Sequence, residues 1–146
     1  MEATLGEWGA SPALRTAGLC HATYGTDGFG TALLGETERP FLCALIGAET
    51  ERLVYVYGCC DRKVVYPKLG VASQVEFRDR FINRSELVSD LELRSFLELT
   101  VANELDVLTH NQELTEAHGP ALLRLFERVR ALLSPAANEA VDRFFG

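Results

Sequence analysis

Two ionisable side chains stand where helical geometry turns them toward an apolar interior, and they define the chemistry open to this chain. Glu104 follows Leu97 by seven residues, which places it within about 20° of that leucine on a helix and between Val101 and Leu108. A carboxylate inside an apolar stripe must be paired, protonated or metal-bound. His21 is the second. On a helix beginning at Pro12, Leu14, Ala17, Gly18 and His21 fall on one side, with Tyr24 beside them. An acid, a base and a phenol on facing walls would suffice for proton transfer. Asn103 flanks Glu104, and Thr26 follows Tyr24 in a polar turn, so Tyr24, Thr26 and Asn103 are assigned to substrate orientation. Each residue also has a purely structural reading. Glu104 could join two helices through an inward Arg or a Tyr hydroxyl, and His21 could be a hydrogen-bonded core residue.

The remaining polar groups carry weaker signals. Asp106 falls on the face opposite Glu104, while His110 and His118 lie near expected helix ends and read as surface residues. Arg78-Asp79-Arg80 between Phe77 and Phe81 reads as a solvated hairpin face able to meet an anion. Gly25 to Gly30 lacks the preceding strand and following Lys of a phosphate loop. Cys20, Cys43, Cys59 and Cys60 show no Cys-x-x-Cys spacing and read as free thiols; Cys59 and Cys60 are not expected to pair with each other. No permanently bound metal or other cofactor is expected.

Positioning these residues calls for helices. Ser11-Pro12 opens one that runs to about Tyr24, stopping at Gly25-Thr26-Asp27-Gly28. A second covers Glu49 to Cys60, where Leu53, Val56, Tyr57 and Cys60 repeat at helical spacing. Asp61 to Val88 is irregular, with a short hairpin around Val75 to Phe81. Ser89 and Glu92 form a capping box for a helix reaching about His110. The chain then turns near His118-Gly119-Pro120, and a helix buries Leu122, Leu125, Phe126, Val129 and Leu133. Ser134-Pro135 starts a last helix burying Val141, Phe144 and Phe145. The reading is a single all-α domain over residues 1–146, with about five helices.

Net charge of −7 with scattered basic residues argues against a nucleic-acid surface. No apolar run approaches the roughly 20 residues that span a bilayer. The N-terminus lacks the basic start and apolar stretch of a signal peptide, so a cytoplasmic protein is expected, with a small molecule as partner and a homodimer compatible.

The segments Ala17-Gly18-Leu19-Cys20-His21-Ala22-Thr23-Tyr24-Gly25-Thr26 and Ala102-Asn103-Glu104-Leu105-Asp106 resemble a bacterial family of unknown function. That family is distantly similar to the HD-domain superfamily of helical metal-dependent enzymes. The resemblance implies an HD-like fold. It also implies a metal held by a His, a His-Asp pair and a later Asp, and activity as a phosphoester hydrolase or, in one branch, a di-iron oxygenase. Here His21 matches the histidine of the pair, Ala22 stands at its aspartate, Asn103 stands at the later aspartate, and no histidine precedes His21. Because the resembling families carry a full histidine-bearing helix before that pair, the start is expected to truncate it; Leu5 and Trp8 fit one face of a single short helix.

Three functions follow. The leading one is a small-molecule enzyme using His21 and Glu104 without a permanent metal. The others are a metal-dependent HD-type hydrolase or oxygenase with an altered ligand set, and a non-catalytic domain that binds a ligand or partner.

Overall fold

Capping and burial together decide where each helix begins and ends. The computed structural model describes residues 1–27, 31–72 and 74–146; of the glycine-rich stretch Gly25 to Gly30, residues 28–30 lie outside them. Helix α1 (Glu2–Glu7) is the short helix expected around Leu5, which is fully buried. It lies on α2 (Pro12–Leu19), where a Cβ added at Gly18 would sit 2.5 Å from Leu5 Cδ1. Ser11 Oγ accepts from Leu14 N at 3.2 Å, as its position before Pro12 implies.

α2 stops at Leu19 rather than Tyr24. His21 Nδ1 donates to Gly18 O at 2.9 Å and Thr23 Oγ1 donates to Cys20 O at 2.7 Å. These side chains take carbonyls of the last turn, and Gly25 at φ +76° redirects the chain.

Helix α3 (Arg39–Ile46), for which the sequence offered no signal, is joined by Gly47 at φ +89° to α4 (Ala48–Cys59). α4 matches the expected helix, but its burial is broader than one stripe: Val54, Tyr55, Val56, Tyr57 and Cys59 are all buried. The segment read as irregular contains a further short helix, α5 (Arg62–Val65), and a 3-10 turn over Tyr66–Lys68.

Strands β1 (Glu76–Asp79) and β2 (Arg84–Leu87) pair antiparallel, with Phe77 opposite Glu86 and Arg78 opposite Ser85. Val75, Phe77 and Asp79 point inward together, as their alternation implies. Arg78-Asp79-Arg80 is therefore not a solvated face. Asp79 is buried and accepts from the Tyr55 hydroxyl and from Phe81 N, the latter at 2.9 Å; Arg80 Nε donates to Gly58 O at 2.9 Å.

The central helix is α6 (Asp90–Thr109), with the Ser89–Glu92 capping box in place. Leu97, Leu99 and Val101 are almost completely buried along it. Helix α7 (Gln112–Arg128) begins earlier than expected: Asn111 Oδ1 accepts from Leu114 N at 3.0 Å, and the chain turns at His110-Asn111. His118, Gly119 and Pro120 lie inside α7. Pro120 lacks the N–H that would reach the Glu116 carbonyl; both residues are exposed, so the gap in the ladder falls on the outer side of α7. Helix α8 (Pro135–Phe145) is capped by Ser134, whose Oγ accepts from Ala137 N at 3.1 Å; Val141 is buried, and Phe144 and Phe145 are half-buried edge to face.

The described residues thus form eight α-helices and one two-stranded sheet, more helices than the five expected. The additional ones, α1, α3 and α5, are each eight residues or shorter. The larger core cluster centres on α6. A smaller one gathers Ala17, Tyr24, Leu42, Val54, Tyr55 and Cys59. Among the described residues no helix is long and apolar enough to cross a membrane.

Candidate functional site

A carboxylate facing an apolar interior needs a cation, and the one that reaches Glu104 comes from α5. Arg62 Nη1 donates to Glu104 Oε1 at 3.3 Å, with the two side chains 19% and 14% exposed. The same guanidinium lies 3.4 Å from the Tyr57 hydroxyl through Nη2. Asn103 Nδ2 donates to that hydroxyl at 2.8 Å. Arg62 also gives its backbone N–H to Asp27 Oδ2 at 2.9 Å.

Glu104, Arg62 and Asn103 stand at the polar end of a cavity of about 670 Å³ between α6, α7 and the Arg62–Pro67 segment. Val107 and Leu108 of α6 and Leu122 and Leu125 of α7 supply its apolar wall. His118, Arg124 and Arg128 line it from α7, and Tyr66 closes the third side. Size and mixed lining match a pocket for a small organic molecule.

Burial raises the Glu104 carboxyl above its ordinary value of 4.5, with Arg62 and His118 pulling the other way. Burial likewise pushes the Tyr57 and Tyr66 hydroxyls up. The Tyr66 hydroxyl is buried with no hydrogen-bond partner among the described residues. The polar end therefore holds a proton donor or acceptor in Glu104, a fixed cation in Arg62 and an unused phenol in Tyr66.

The residues assigned from sequence separate into two places. Asn103 and Glu104 line the cavity. His21, Tyr24 and Thr26 are not among the lining residues, so the expected common wall of His21, Tyr24 and Glu104 does not form. His21 packs edge to face on the Tyr57 ring at 5.7 Å, and the hydroxyl of that ring meets Arg62 and Asn103. Tyr24 donates to Glu51 Oε2 at 2.7 Å, and Arg39 pairs with the same carboxylate at 2.7 Å, in the smaller core cluster. Thr26 is half-buried, and its neighbour Asp27 reaches the cavity instead.

Arg62, Tyr66, His118, Arg124 and Arg128 have no counterpart among the residues singled out for the site. The signal for most of them lies in α7. Leu114, His118, Leu122, Leu125 and Arg128 repeat at helical spacing once the helix is started at Asn111.

The donor set for an HD-type metal is not assembled. Ala22 offers no ligand and is exposed, and Asn103 is turned by its Nδ2 to the Tyr57 hydroxyl at 2.8 Å while His21 is held by its Nδ1 at Gly18 O. Among the described residues no three His, Cys, Asp or Glu side chains converge as a metal-holding group.

All four cysteines are unpaired; Cys59 and Cys60 are buried, Cys20 and Cys43 half-buried. Burial, with Asp79 nearby, lifts the Cys59 thiol to about 12.

The profile of a family described as a domain of unknown function (DUF6817) matches residues 1–62, less than half of the chain. The matched segment includes His21 and Arg62 and ends before α6 and α7. No curated protein and no solved structure matches.

Proposed function

We propose that this chain is a small-molecule enzyme in which Glu104 moves a proton to or from a ligand seated in the cavity between α6 and α7. The observation that carries this reading is the Glu104 carboxyl, lifted by burial, at the polar end of a largely apolar cavity. Arg62 holds Glu104 in place and balances its charge when ionised. Asn103 orients the ligand or the Tyr57 hydroxyl. His21 acts as a positioning residue through the Tyr57 ring; Tyr24 and Thr26, outside the lining, make no ligand contact in this reading. An HD-like fold, implied by the resemblance around His21, belongs to this reading, with Ala22 and Asn103 at its aspartate positions, and no step is assigned to a metal. A small molecule rather than a polyanion fits the net charge of −7, and a cytoplasmic setting is part of the same reading.

The test is a thermal-shift screen of small organic molecules on wild type and on Ala121→Trp, which fills the cavity beside Leu122. A ligand that stabilises wild type and not the filled variant, and whose conversion stops in Glu104→Gln, supports the reading. Ligands that stabilise both proteins equally, or turnover that survives Glu104→Gln, refute it.

A second reading concerns a second copy of the chain. Phe41 and Leu45, one turn apart on α3, are 62% and 67% exposed. A homodimer would cover them, and sedimentation of wild type against Phe41→Glu tests this.

A further inference from the structure

We infer that the cavity takes a small organic anion, with an apolar body against Leu108, Leu122 and Leu125 and a single anionic head at Arg124 and Arg128. This rests on the reading above that the cavity holds a small molecule, and it adds the class of that molecule.

The charge balance of the lining is the first observation. The whole chain carries −7, yet the cavity is lined by three arginines, Arg62, Arg124 and Arg128, against two carboxylates, Asp27 and Glu104. The second observation is where those charges are committed. Glu104 faces Arg62 at the inner end, and Asp27 accepts from the Arg62 backbone N–H. Arg124 and Arg128 have no carboxylate within ion-pair distance among the described residues.

Arg128 donates Nε to Leu69 O at 3.1 Å and Nη2 to Tyr66 O at 3.0 Å. Those bonds fix its guanidinium but leave its charge unbalanced. Arg124 makes no hydrogen bond through its side chain among the described residues. The two sit four residues apart on α7, so they share a side of the helix, next to the apolar Leu125. A held cation beside a free one, both bordering an apolar wall, is the arrangement that seats an anion with a hydrocarbon body. The unpartnered Tyr66 hydroxyl gives the far end of the ligand a hydrogen-bonding point near Glu104.

Calorimetric titration of the full chain with octanoate, octanol and octylamine tests this. The three probes share a hydrocarbon body and differ in the charge of the head. Octanoate is expected to bind most tightly. Arg124→Gln should weaken octanoate about tenfold, the loss of one charge-assisted hydrogen bond at a partly open site, and leave octanol unchanged. Raising the salt should weaken octanoate alone. Arg124 is exposed, so the variant keeps the fold, which circular dichroism verifies. If octanol and octanoate bind equally and neither responds to Arg124→Gln, the anion assignment falls while the small-molecule reading stands. If Ala121→Trp leaves octanoate binding unchanged, the anion site is elsewhere and the assignment falls too. If none of the three probes binds, both readings fail for molecules of this shape.

Discussion

Arg62 and Glu104 face each other at 3.3 Å across 42 residues of sequence, and this pair ties α5 to the central helix at the polar end of the cavity. Its Coulomb gain is offset by the burial of both groups, so the pair acts as a positioning device more than as a source of stability.

The pH dependence of stability should expose that balance. Burial raises the folded-state Glu104 carboxyl above 4.5, so the fold favours its protonated form. This contribution is fully present below the unfolded value and is lost as pH rises through the folded one. Glu104→Gln stays neutral throughout. The melting-temperature difference between variant and wild type should therefore move in the variant's favour as pH rises from below 4.5 toward neutrality. A difference that does not change with pH would show that Glu104 titrates like an exposed carboxyl.

Two buried carboxylates elsewhere, each holding a tyrosine hydroxyl, should respond unequally to loss of that hydroxyl. Without Tyr24, Glu51 Oε2 keeps Arg39 Nε at 2.9 Å. Without Tyr55, Asp79 Oδ2 has no other partner among the described residues, and only Oδ1 stays bonded, to Phe81 N. Urea denaturation should give about 1 kcal/mol for Tyr24→Phe and about 2 kcal/mol or more for Tyr55→Phe, the excess being an unsatisfied buried acceptor. Equal losses would contradict this account.

Gly70 and Gly47 separate backbone strain from contact. Both have positive φ, +78° and +89°, but a Cβ at Gly47 meets nothing within 4 Å, whereas at Gly70 it would lie 2.5 Å from Arg128 O. Gly47→Ala should destabilise by about 1–3 kcal/mol, because φ +89° with ψ 158° is a region essentially reserved for glycine. Gly70→Ala should cost clearly more and also disturb Arg128 in the cavity. Equal costs in chemical denaturation would remove the contact from the explanation.

Thiol labelling should divide the cysteines by depth. In the native protein, iodoacetamide should modify Cys20 and Cys43 before Cys59 and Cys60, which are buried, the Cys59 thiol being held protonated by its value of about 12. Without reductant, all four should label once urea unfolds the chain. Mass spectrometry reads both outcomes, and a native Cys59–Cys60 disulfide would overturn them.

Local patterns made some of this legible in the sequence. Ser89 and Glu92 mark the start of α6 because a capping box lies within four residues, and Glu104 stands out because its apolar neighbours share its helix. The parity of Val75, Phe77 and Asp79 foretells that Asp79 faces inward, although its arginine neighbours suggest the opposite. What stayed hidden depends on distant partners or on a tolerated exception. Arg62 meets Glu104, and Tyr55 meets Asp79, only through the fold. Pro120 reads as a helix breaker, and nothing local reveals that α7 carries it on its exposed side. Starting the helix after it removes Leu114 and His118 from α7, and with them the first part of the face that lines the cavity. The region around α3 is short, opens with Arg39-Pro40 and buries only Leu42, too little for a periodic signal.

The two bonds from Arg128 to Tyr66 O and Leu69 O fasten the third wall of the cavity by its main chain. Backbone carbonyls are the same whatever side chains they carry, and Val65 and Leu69 anchor the segment from the core side. A side-chain change at Pro67 would therefore reshape the lining without removing either bond, so ligand preference can be retuned there while the wall stays attached.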